Sequence, residues 1–198
     1  MKKLTFSIAL SLIICAVLSV IGSAREVEDL TDKLIRIHVI ANSDSEEDQN
    51  LKLAVRDGIL SYVSELTEGC KTKTEAMESL GGGLGRIEDK ARGIVAESGF
   101  GYEVKCTLSR EEFDRRTYDG FELPAGEYDS LCIRLGSAEG KNWWCVCYPS
   151  ICLGSAMSVD ECGVFSEGEL IIIKEPEKVR YKLWCFEAIR KLRRLFAK

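Results

Sequence analysis

The sequence predicts an α+β protein: a mixed or antiparallel sheet with helices packed mainly on one face, preceded by an N-terminal signal or transmembrane helix. Three observations carry this. Period-two alternation recurs at 34–40, 102–108, 127–135 and 143–148, and helical spacing fills the interval between the first two of these runs. Behind Lys2 and Lys3, residues 4–22 are apolar apart from a few small hydroxyl residues.

The apolar run ends in Gly22-Ser23-Ala24, the small side chains a signal peptidase accepts. It also matches the roughly 20 residues a bilayer-spanning helix needs, with the two lysines inside. Residues 1–24 are therefore a cleaved signal or a retained anchor, and both place the remainder of the chain across the membrane. Residues 25–198 are expected to form one extracytoplasmic domain, since no tandem repeat or low-complexity block divides them and prolines number only three. The net charge of −5 becomes more negative once Lys2 and Lys3 are set aside, which argues against nucleic acid as a partner.

Residues 34–57 read LIRIHVIANSDSEEDQNLKLAVRD. Ile35, Ile37 and Val39 form one β-branched face of a strand, while the other carries Arg36 and the chain's single histidine, His38, so a half-buried strand is expected. Ser43-x-x-Glu46 and Ser45-x-x-Asp48 each offer a hydroxyl to helix amides with a carboxylate three residues on, a helix start. Leu51, Val55, Ile59, Tyr62, Val63 and Leu66 continue on one helical face and leave Gln49, Lys52 and Arg56 outside it.

A second helical pattern starts at Thr74, but Gly81-Gly82-Gly83 and Gly85 lie inside it. At roughly 1 kcal/mol per glycine they predict a break or bend there. Gly99 to Gly101 ends the pattern, and Tyr102–Leu108 reads as a strand. Glu127–Leu135 and Trp143–Tyr148 read as a hairpin, and Leu170–Ile173 and Val179–Phe186 as further strands. Phe186–Lys198 turns to helical spacing with a basic face. Such a helix either docks on the sheet or adheres to an anionic membrane surface.

Among the cysteines beyond residue 24, Cys145 and Cys152 flank Pro149 at a spacing one turn can close, and this is the pair expected to bridge. Cys106, Cys132 and Cys185 read as buried thiols filling a core. A metal site is not expected, because the only short pair is Cys145-x-Cys147 and His38 is the sole imidazole. Trp143 and Trp144, adjacent on a strand, must point to opposite faces, so one is left as a contact anchor beside Asn142.

Catalysis would have to use His38 with the Asn42-Ser43-Asp44 turn, as in a secreted hydrolase. The chain has no Gly-x-Ser-x-Gly, His-Glu-x-x-His or Asp-Thr/Ser-Gly. His38 is instead expected at the sheet edge, bonded to the neighbouring turn. An EF-hand reading of residues 42–53 fails, with Glu47 where glycine belongs and Leu53 at the twelfth position. The protein is expected to be no enzyme and to need no cofactor.

RIHVIANSDSEEDQNLKLAVRD at 36–57, LPAGEYDSLCIRLG at 123–136 and GKNWWCVCYPSIC at 140–152 resemble stage II sporulation protein R, a family of secreted signalling proteins of endospore formers. The resemblance implies export from the forespore into the space between forespore and mother cell. There such proteins trigger a membrane-embedded aspartic protease, which processes the precursor of the sporulation sigma factor E. By position, His38–Ser45 with Asp48, Gln49 and Lys52 is the family's hallmark turn, and Asn142-Trp143-Trp144-Cys145 with Cys152 its second. The chain departs in having Pro149-Ser150 where two prolines are common, in its helix glycines and in extra cysteines such as Cys132, Cys147 and Cys185. The expected protease-binding surface comprises Arg36, His38, Asn42, Ser43, Asp44, Asp48, Gln49, Lys52, Asn142, Trp143 and Trp144.

Overall fold

The computed structural model describes residues 2–118, 120–149, 159 and 163–196. In chain order the elements are α1 (Lys2–Asp32), β1 (Ile35–Ile40), α2 (Glu46–Thr67), α3 (Lys73–Glu97), β2 (Val104–Phe113), β3 (Arg116–Tyr118), β4 (Phe121–Leu123), β5 (Gly126–Leu135), β6 (Asn142–Tyr148), α4 (Glu167–Lys174) and α5 (Pro176–Phe196). The fold is α+β with a mixed sheet, and α1 is long and apolar enough to cross a membrane. Two compact units emerge, one of residues 32–112 and 127–164, the other of 1–31, 113–126 and 165–198.

The first unit holds a four-stranded sheet in the order β2-β5-β1-β6. β1 runs parallel to β5, pairing Ile37 with Leu131, and antiparallel to β6, pairing Ile37 with Cys145. The expected β5–β6 hairpin is thus opened by β1, which lies between its arms. Two interstrand steps are about 9.6 Å, and the Gly136–Lys141 connection is long enough to cross them. As an interior strand β1 is buried on both faces rather than one.

Ile35, Ile37 and Val39 of β1, with Leu131, Ile133 and Leu135 of β5, pack against Leu51, Val55, Ile59 and Val63 of α2 and Leu80, Ile87, Ala91 and Val95 of α3. Both helices therefore cover one sheet face. α3 is a single unbroken helix, contrary to the break expected at 81–83. Gly83 explains part of this: a methyl there would stand 2.6 Å from Leu66 Cδ1, so the glycine lets α2 and α3 approach. Gly82 and Gly85 are exposed, and burial of the Leu80–Ile87–Ala91–Val95 stripe outweighs their propensity cost.

In the second unit β3 and β4 form a short antiparallel hairpin, with Tyr118 stacked on Phe121 at 4.8 Å. Arg115 there pairs with Glu187 of α5 at 2.9 Å. Val27 and Leu30 of α1 are buried, whereas Phe6, Leu12 and Leu18 are exposed. Leu170–Ile173 and Val179–Phe186, expected as strands, are helical. Ser166 and Glu169 close a complete capping box that starts α4, and Val179, Leu183 and Phe186 are buried at spacings of four and three along α5.

Candidate functional site

The turn between β1 and α2 is held together by its own side chains. Ser45 caps α2 in extended conformation and accepts the Asp48 amide at 3.2 Å. The Asp48 carboxylate, only 3 % exposed, takes the Ser43 hydroxyl at 2.6 Å and the Asn42 side-chain amide at 2.9 Å. These bonds, Ser43's foremost, hold its carboxyl below the usual 3.8 despite burial. Gln49 Nε2 donates to Ser43 O at 2.8 Å.

The same residues fasten the β5–β6 connection over the end of β1. Asn42 Oδ1 accepts the Ser137 amide at 2.9 Å, Asn42 O accepts the Ser137 hydroxyl at 2.8 Å, and Gly140 N donates to Ala41 O at 2.9 Å. Asp44 Oδ1 takes the Lys141 amide at 2.7 Å. Lys52, placed outside the apolar face by its spacing, is buried. Its ammonium donates to Lys141 O at 3.1 Å and to Gln49 Oε1, and burial lowers its pKa. The sheet topology thus brings the two sequence blocks into one piece of surface. Their polar groups are largely turned inward, while Asp44, Ser45, Glu46, Glu47 and Lys141 remain exposed.

On the sheet face opposite the helices, register sets His38 between Cys132 of β5 and Trp144 of β6. The imidazole stacks on Trp144, ring centroids 4.7 Å apart and 7° from parallel, and its Nε2 lies 2.9 Å from Glu111 Oε2 of β2. His38 is therefore an interior residue reaching across small Cys132, not an edge residue bonded to the turn. Burial pushes its pKa below 6.5 against the pull of Glu111, and Arg134 and Arg36 push the same way. Arg36 is fully buried with its guanidinium 4.9 Å over the Tyr128 ring. Trp143 points to the other face, against the core, beneath Arg56 at 5.4 Å.

The hydrolase constellation is not assembled. Ser43 donates its hydroxyl hydrogen bond to Asp48, Asp44 accepts a backbone amide, and His38 faces Glu111, so the Ser43 hydroxyl does not meet His38 as its base and Asp44 does not orient the imidazole. Cys152 lies outside the described residues, and no disulfide joins two described cysteines. Cys106 and Cys132 are buried thiols, both pushed up to about 12 by that burial.

Residues 31–158 match the family described as stage II sporulation protein R. The chain belongs to this family. It is also similar to a curated relative, stage II sporulation protein R of Bacillus subtilis (strain 168), at 29% identity over 153 residues, which is 77% of this chain and 64% of the relative. The chain thus spans a little under two thirds of that relative's length. No solved structure matches it.

The stage II sporulation protein R match takes in the whole turn, the β5–β6 connection and the His38 face. Sequence reading missed Glu111, Arg134, Tyr102, Gly136 and Ser137. Arg134 bonds Thr107 Oγ1 at 2.9 Å and lies 3.5 Å from Glu111 Oε1. Both sit on strands whose pairing no local pattern announces. The signal the sequence offers is Gly136 itself, a glycine where the alternation of β5 ends, and its φ of +58° shows the left-handed turn that begins the crossing.

Proposed function

We propose that the chain is an exported signalling protein of sporulation, acting between forespore and mother cell. Its extracytoplasmic part activates a membrane-embedded aspartic protease that processes the sigma factor E precursor. The observation that carries this reading is the family match over residues 31–158, which covers both hallmark blocks and the surface they build together. The contact is one of shape and charge: internal bonds fix the backbone, and Asp44, Glu46, Glu47 and Lys141 project from it beside half-buried Trp143 and Trp144.

A rigid surface suits activation by selective binding. A ligand shifts an equilibrium only through unequal affinity for its two states, and a pre-ordered epitope spends little on ordering. The apolar α1 accounts for export or anchoring. Exposed Tyr181 and Trp184, on a helix rich in lysine and arginine, offer the anionic bilayer a second contact.

The test is restoration of precursor processing in protease-containing cells lacking this protein, by the purified chain supplied from outside. The double variant Glu46→Arg, Glu47→Arg, changed at exposed positions only, is expected to keep its circular dichroism and lose processing. Processing at the wild-type rate without the protein, or undiminished with the folded double variant, refutes the contact.

A further inference from the structure

We propose that His38, Glu111 and Cys132 form a binding site for a divalent metal ion of the zinc class. One imidazole nitrogen, one carboxylate oxygen and one sulfur, supplied by β1, β2 and β5, all lie within 4.8 Å of one another. Ligand atoms around a tetrahedral ion, each about 2.0–2.3 Å from the metal, stand roughly 3.3–3.8 Å apart. Small rotamer shifts therefore close the site without moving the sheet.

The surroundings favour such an ion. Nitrogen, sulfur and carboxylate are the donors zinc takes, and three protein ligands leave a fourth position for water. His38 is oriented by its stack on Trp144. Glu111 is oriented by the Ser109 hydroxyl at 2.9 Å and by Arg134, both of which meet Oε1 and leave Oε2 facing the imidazole. Burial keeps the imidazole neutral, as a ligand must be. It also holds the proton on Cys132, so an ion has to displace that proton to solvent as the metal–sulfur bond forms. No electron is transferred. The thiolate and carboxylate together match the ion's two charges. Arg36 and Arg134 on the same face oppose a cation, which selects ions with strong thiolate bonds over magnesium or calcium. Half-buried Glu111 and Arg134 mark the entry side.

Sequence spacing could not reveal this set, because its members are 73 and 21 residues apart and only the β2-β5-β1 order joins them. The test is a cobalt titration of the full-length chain in detergent, stripped by chelator and kept reduced with a phosphine. The expected result is a thiolate-to-cobalt charge-transfer band in the near ultraviolet, saturating at one cobalt per chain and bleached by zinc. Cys132→Ser should abolish the band, whereas Cys106→Ser, a buried thiol in the apolar core, should keep it. Glu111→Gln, at a half-buried position, should weaken binding by about tenfold or more and decides the matter if Cys132→Ser does not fold. No band in the wild type, a band that survives Cys132→Ser, or cobalt affinity unchanged in Glu111→Gln overturns the proposal.

Discussion

Gly136 and Asn42 approach so closely that no side chain fits between them. A methyl group on Gly136 would run into Asn42 Oδ1 and stand 2.9 Å from its Cγ. The Asn42 side chain cannot withdraw without giving up the Ser137 amide on one side and Asp48 on the other.

Gly136→Ala is therefore expected to cost about 2–3 kcal/mol, from a left-handed φ and loss of the Asn42 bonds together. Chemical denaturation in detergent measures it. The same method on Gly69→Ala, whose φ of +77° is also left-handed but whose methyl would meet nothing within 4 Å, isolates the backbone part. Equal losses for the two would show that the Asn42 contact contributes nothing.

Helix α3 supplies the opposite sign. Gly82 is exposed in a regular helix with open space around its missing methyl, so Gly82→Ala should raise stability by about 0.5–1 kcal/mol. Gly83→Ala must first displace Leu66 Cδ1 and is expected to lower it. A pair of melts decides; stabilisation by both would mean that α2 and α3 have room to spare.

The contrast shows what the sequence could and could not reveal. Local chemistry was legible wherever one segment contains its own partners. Ser45 and Asp48 announce the start of α2, and alternation at 34–40 and 127–135 announces strands. Pairing was not legible, because alternation fixes the face a residue takes but not its neighbour, so β1 went unnoticed between β5 and β6. Leu170–Ile173 misled through its β-branched residues, although Ser166-x-x-Glu169 just before it was the stronger sign of a helix. Within the site, the sequence marks Asn42 and Asp48 as candidates but does not show what they bond. Their actual hydrogen-bond partners, Ser137 and Ser43, show them building the surface from inside.

Asp48 makes that internal role measurable through pH. Hydrogen bonds from Ser43 and Asn42 favour its ionised form, so its folded pKa lies below the unfolded value near 3.8. A depressed carboxyl contributes stability that is fully present above 3.8 and disappears as pH falls through the folded pKa. Tyr102 shows the alkaline counterpart. Its bond to Asp48 raises its pKa above 10, so the contribution is present below 10 and lost as pH rises through the folded value. Asp48→Asn should remove both trends. It should also lower neutral-pH stability by about 1–3 kcal/mol, since the Ser43 hydroxyl and Asn42 amide lose a charged acceptor. Denaturation midpoints of the two proteins between pH 2 and 11 provide the measurement, and parallel curves would show that Asp48 does not set the acid limb.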